Sequence, residues 1–197
     1  MKVLLAAINA KYIHSNLGIY SLKTYGEKML KEWGLAEQAE ISLAEYTINH
    51  QMEQILQDIY KRKPDVIGFS CYIWNIAYVL DLVRDIHKVL PETDIWLGGP
   101  EVSYDAPQLL VREPEVFGVM KGEGEEMFAA LLECYRTLGC TVRSLKQMQS
   151  LGWNEQKNVG TETVADSGRM PELQDWPEAA WVSAFWHRMS QVAGLTY

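Results

Sequence analysis

Long apolar runs, basic clusters and regularly spaced cysteines are all missing from this sequence. No stretch approaches the roughly eighteen consecutive apolar residues that a membrane-spanning helix requires, so no membrane span is expected. The opening run, MKVLLAAINAKY, is too short for the apolar core of a signal peptide plus a small-residue cleavage site. It reads instead as a first buried strand, and a cytoplasmic location is expected. Basic residues are outnumbered, 18 Lys and Arg against 26 Asp and Glu, for a net charge of −8, and no lysine- or arginine-rich run occurs. A nucleic-acid surface needs clustered positive charge to displace counterions, so nucleic acid is not an expected partner. The three cysteines, Cys71, Cys134 and Cys140, make no CxxC or CxxxCxxC spacing. The chain alone therefore lacks the cysteine set of an iron–sulfur cluster or a structural zinc, and its cysteines read as buried thiols of a reducing compartment.

What is present is an alternation of apolar runs with helical patterns. KVLLAAI (2–8), DVIGFSCY (65–72) and TDIWLGGP (93–100) are short apolar runs of the kind that form strands covered on both faces. AEISLAEYT (39–47) alternates more and is expected nearer an edge, and EVFGVMKGEGEE (115–126) runs from a fifth strand into a helix over 125–138. Between them lie helical patterns capped by Ser15, Asn49 and Asn75, and a short helix over 105–113. Successive βα units predict an α/β fold with a doubly wound, five-stranded parallel sheet, flavodoxin-like (Rossmann-like), in the order 2-1-3-4-5. Residues 1–140 make that domain. Residues 141–197 read as a small hairpin and a connector, rich in tryptophan at the end, that does not close a unit of its own.

Ligands of a doubly wound sheet bind beyond the carboxyl ends of the strands, near the switch in strand order. Four loops meet there: Asn9–Gly18, Ser70–Asn75, Gly98–Tyr104 and Gly122–Glu125. A phosphate-accepting receiver needs paired acids after strand one and an aspartate ending strand three, where this chain has Asn9 and Ser70 or Cys71. A dinucleotide fold needs G-x-G-x-x-G opening the first helix, and only Gly18 is present. A flavin phosphate loop would be dense in hydroxyls, and Ser15 alone is poor support. What remains is Ser70 ending strand three and the pair Gly98–Gly99 ending strand four, where residues without side chains leave room for something large and flat or for a long nucleotide tail. Each has a plain structural explanation alone, a helix cap or a turn; their shared position in one sheet is more telling.

PDVIGFSCY, DIWLGGPEVS and VFGVMKGEGE, in that order, resemble the cobalamin-binding domain that begins cobalamin-dependent radical S-adenosylmethionine (SAM) enzymes, a group that includes the anaerobic magnesium-protoporphyrin ester cyclase. The likeness covers roughly residues 1–140. It implies that Ser70, Gly98 and Gly99 flank the groove for the cofactor's nucleotide tail, with Cys71, Tyr72, Trp74, Pro100, Glu101, Gly122 and Glu123 around it. It also brings in the first loop through Asn9, His14, Ser15, Leu17 and Gly18. Related mutases carry D-x-H-x-x-G in this loop, whose histidine binds cobalt. Here Tyr12 replaces the aspartate that would orient the imidazole, and Gly18 comes one residue late. The resemblance thus implies base-off cobalamin with no protein histidine on cobalt. SAM and a [4Fe–4S] cluster would belong to a radical SAM domain outside this chain, whose reaction would be methyl transfer or oxidative cyclisation. A ligand-free flavodoxin-like scaffold is the alternative. It would fill the groove at Ser70, Gly98 and Gly99 with side chains such as Trp74 or Tyr104, where cobalamin needs the groove open.

Overall fold

In the computed structural model, which describes residues 1–10, 15–121, 124–137 and 164–166, the strands are β1 (Lys2–Asn9), β2 (Glu40–Thr47), β3 (Val66–Ser70), β4 (Asp94–Gly98), β5 (Gly118–Lys121) and β6 (Val164–Asp166). The helices between them are α1 (Leu17–Glu32), α2 (Met52–Arg62), α3 (Ile76–Val89), α4 (Pro100–Ser103), α5 (Ala106–Arg112) and α6 (Gly124–Thr137). All strand pairs are parallel, and the order is β2-β1-β3-β4-β5-β6. The expected 2-1-3-4-5 order is therefore observed, with β2 at one edge and a further short parallel strand, β6, beyond β5. Apart from β6, the predicted hairpin and connector lie outside the described residues.

Alternation along the strands divides the core into two halves. Leu4, Ala6 and Ile8 of β1, Ile67 and Phe69 of β3, and Ile95 and Leu97 of β4 face α2, α3 and α5. Val3, Leu5 and Ala7 of β1, Val66 of β3 and Trp96 of β4 face α1 and α6. Each fully buried Leu or Ile contributes about 1.5–3 kcal/mol, and the three central strands are buried on both sides, as their unbroken apolar runs required. Against the second face, α1 and α6 approach closely at Gly26: a Cβ there would lie 2.8 Å from Phe128. At the amino end of the sheet, Trp96 Nε1 donates to the Tyr135 hydroxyl (3.0 Å), which donates to Asp94 Oδ2 (2.9 Å), tying α6 to β4.

Helix starts differ from expectation by small steps. Asn16, not Ser15, caps α1: its Oδ1 accepts from the Ile19 N–H, while Ser15 is exposed. α2 begins after Gln51, not Asn49, because the turn before it is set by Thr47 and His50: the Thr47 N–H donates to His50 Nδ1 at 3.0 Å. Pro100–Ser103 forms a helical turn that is too short to show a period in the sequence.

Candidate functional site

The carboxyl ends of β1, β3 and β4 come together through the strand register. Ala7 pairs with Ser70, and Ser70 with Gly98. By the same alternation that divides the core, Asn9, Ser70 and Gly98 lie on the face covered by α1 and α6, together with Glu45 of the edge strand β2.

Two asparagines fix Ser70. Asn75, buried at the start of α3, donates through Nδ2 to the carbonyls of Ile8 and Ser70, both at 3.0 Å, and its Oδ1 accepts from the Tyr72 N–H (2.8 Å). It ties the ends of β1 and β3 across the point where the strand order reverses. Asn16, buried at the start of α1, donates through Nδ2 to Ser70 Oγ at 3.0 Å. Glu45 then ties the end of β1 to the start of α1: Oε1 accepts from the Asn16 N–H (2.8 Å) and from Asn9 Nδ2 (3.0 Å), and Oε2 from the Tyr20 hydroxyl (2.7 Å). Burial pushes the Glu45 carboxyl upward, but the bonds from Tyr20, Asn16 and Asn9 outweigh it and hold the group below its ordinary range. The same pairing raises the Tyr20 hydroxyl, first through its hydrogen bond to Glu45.

The glycine pair divides into two roles. Gly99 has φ +111°, and a Cβ on it would lie 2.4 Å from the Cys71 carbonyl oxygen, so the crossing of two backbones demands glycine there. Gly98 has no such need. A Cβ on it would meet only Met120, at 3.7 Å or more, which is ordinary contact. Beside it Ser70 is likewise half-buried, so the ends of β3 and β4 both reach the surface here. Tyr104 does not cover these strand ends, being 93% exposed; Trp74 stacks on Tyr72 with ring centroids 4.6 Å apart and stays half exposed.

Other expected residues are more scattered. The Cys71 side chain turns into the core and not into the groove: it is fully buried among the α2–α3 face, and burial pushes its thiol up to about 12. Only its backbone belongs to the site, through an N–H donated to the Gly98 carbonyl at 2.7 Å. Pro100 is exposed and Glu101 half-buried at the start of α4, where Ser103 Oγ donates back to the Gly99 carbonyl. Val102, next to Glu101 in α4, is buried in the core. Leu17 is 80% exposed and Gly18 exposed in the first turn of α1. His14, Gly122 and Glu123 lie outside the described residues. Asn16 and Glu45 were not anticipated. The signal for Asn16 was a side chain one place past the expected cap; for Glu45, an acid in an otherwise apolar alternation.

A family model described as the B12 binding domain matches residues 3–132. This chain belongs to the B12-binding domain family. Curated relatives of this B12-binding domain include 2-(S-pantetheinyl)-carbapenam-3-carboxylate methyltransferase of Streptantibioticus cattleyicolor, 35% identical over 35% of the chain and 10% of that protein. The cobalamin-dependent radical SAM methyltransferase TokK of Streptomyces tokunonensis is 31% identical over 36% of the chain and 10% of its own length. Hopanoid C-3 methylase of Methylococcus capsulatus is 35% identical over 40% of the chain and 16% of its own length. The domain thus spans a small part of the curated relatives it matches. Among solved structures, the cobalamin-dependent S-adenosylmethionine radical enzyme OxsB, with aqua-cobalamin and S-adenosylmethionine bound, shares the fold: TM-score 0.55 and 19% identity over 68% of this chain and 18% of that one. Among the described residues no helix is long and apolar enough to cross a membrane.

Proposed function

We propose that the domain binds cobalamin across the carboxyl ends of β1, β3 and β4, with the nucleotide tail between Ser70 and Gly98. The observation that carries this reading is the pairing of Ser70 with Gly98 in adjacent strands, both half-buried at the carboxyl end of the sheet, with no side chain on Gly98. Membership of the family supports it, and the exposure of Tyr104 weighs against a scaffold whose groove is plugged. Bound cobalamin would supply methyl-carrying or one-electron chemistry at its cobalt. The protein's own part is to hold and orient it. Ser70 offers a hydroxyl, Gly98 leaves room, and the stacked Tyr72 and Trp74 offer an aromatic surface beside the groove. Asn75 and Gly99 keep the two strand ends in place.

The cofactor is bound base-off, with no histidine of this chain on cobalt, because Tyr12 stands where the orienting aspartate of D-x-H-x-x-G would be. SAM and the iron–sulfur cluster belong to a radical SAM domain, since CxxxCxxC does not occur in this sequence. Methyl transfer is favoured over cyclisation as the reaction served, because the matched curated relatives named above are methyltransferases or a methylase.

Titration with hydroxocobalamin, followed by gel filtration and the visible spectrum, tests this. Co-elution with a base-off spectrum is expected, and the His14→Ala variant should give the same spectrum with most of the affinity kept. Loss of binding in that variant would put the histidine on cobalt after all. Failure to co-elute, both here and in a chain extended past residue 197, would return the domain to the scaffold reading.

A further inference from the structure

The hydrogen bond between Asn16 and Ser70 has a direction. The Ile19 N–H can only donate, so the Asn16 amide must turn its oxygen to Ile19 and its NH2 to Ser70. Ser70 Oγ is thereby the acceptor at 3.0 Å, and its hydroxyl hydrogen has no partner among the described residues. A hydroxyl that already accepts is left to donate. The Ser70 backbone is fixed, because Asn75 holds its carbonyl and β4 holds its strand register. The Asn16 backbone is anchored as well: Glu45 accepts from its N–H, the same carboxylate oxygen accepts from Asn9, and the Tyr20 hydroxyl donates to the other oxygen. The chain Glu45–Asn16–Ser70 runs from the edge strand to the groove, and each link can be made in one direction only.

We propose that Asn16, held by Glu45, is a positioning residue that presents the Ser70 hydroxyl as a hydrogen-bond donor, selecting an acceptor atom of the cofactor's nucleotide tail. This rests on the reading that the groove takes cobalamin. It adds a residue that touches no ligand and a required polarity for the one that does.

The test measures affinities for two probes: hydroxocobalamin, which carries the tail, and diaquocobinamide, which has the corrin and no nucleotide. Ser70→Ala should weaken cobalamin binding about tenfold, the worth of one neutral hydrogen bond, and leave cobinamide unchanged. Asn16→Asp keeps an acceptor for Ile19 and hence the helix cap, but offers Ser70 a carboxylate to donate to, which withdraws the hydroxyl hydrogen from the groove. It should lose cobalamin affinity to a similar degree, again sparing cobinamide. In the Ser70→Ala background the Asn16→Asp change should add nothing, since its effect passes through the hydroxyl. A penalty that persists there is charge repulsion from the tail and overturns the proposal, as does an equal loss for both probes. Should Asn16→Asp fail to fold beside Glu45, Asn16→Ser keeps the cap but is too short to reach Ser70. It should then give a smaller loss, about threefold for cobalamin alone, and no loss in that variant overturns the proposal. Wild-type protein that binds neither probe would instead overturn the cobalamin reading, and this inference with it.

Discussion

At the scale of single residues, Gly98 and Gly99 are adjacent in sequence and opposite in demand. Gly99→Ala places a Cβ against the Cys71 carbonyl and forces a side chain into a left-handed φ, so a loss of about 3 kcal/mol or more is expected in denaturant unfolding. Gly98→Ala meets only ordinary contacts and stiffens the unfolded chain, so stability should hold or rise by about 0.5 kcal/mol. Its cost should fall on the ligand: cobalamin affinity in the same titration should drop at least tenfold as the groove narrows. Equal destabilisation by both changes would mean that the pair is merely a turn. Sequence alone offers the two as one motif, because the difference lies in φ and in what crosses behind, neither of which a residue name carries.

Between elements, Glu45 joins β2 to the end of β1 and the start of α1. Its carboxyl sits below its ordinary value when folded, so its contribution is present above the ordinary carboxylate range and is lost as pH falls through the lowered folded value. Comparing wild type with Glu45→Gln by urea unfolding across pH should therefore show a gap at neutral pH that closes on acidification; a gap constant down to acid would mean the charge plays no part. The elements themselves were legible in the sequence, since continuous apolar runs and helical periods depend on local pattern. Helix starts shifted by a residue or two because caps are settled by tertiary partners: Asn16 by Ser70 and Glu45, and the turn before α2 by His50. Glu45 itself was passed over because an acid on an alternating edge strand reads as solvent-facing. Ser70, Gly98 and Gly99 were legible through their strand ends; Cys71 was grouped with them by its place in the chain, although it continues the inward alternation of Ile67 and Phe69.

Over the whole molecule, the groove and the tie between α6 and β4 sit at opposite ends of the sheet. Tyr135→Phe removes the hydroxyl between Trp96 and Asp94 and takes the acceptor from the buried Trp96 Nε1, which should cost about 1–3 kcal/mol in unfolding. Cobalamin affinity at saturating fold should not change, and a parallel loss of affinity would show that α6 transmits to the groove. Within the sheet, the two ends share one constraint. Ser70 and Cys71 are neighbours on either side of a pleat, one half-buried at the carboxyl end of the sheet and the other in dry core. The strand is thus read in a frame of two. A one-residue insertion or deletion in β3 would exchange them, bringing a soft, oxidisable sulfur to the groove proposed for the nucleotide tail and sending a hydroxyl into hydrocarbon. A two-residue change keeps the frame, so along this strand length can vary in pairs where it cannot vary singly.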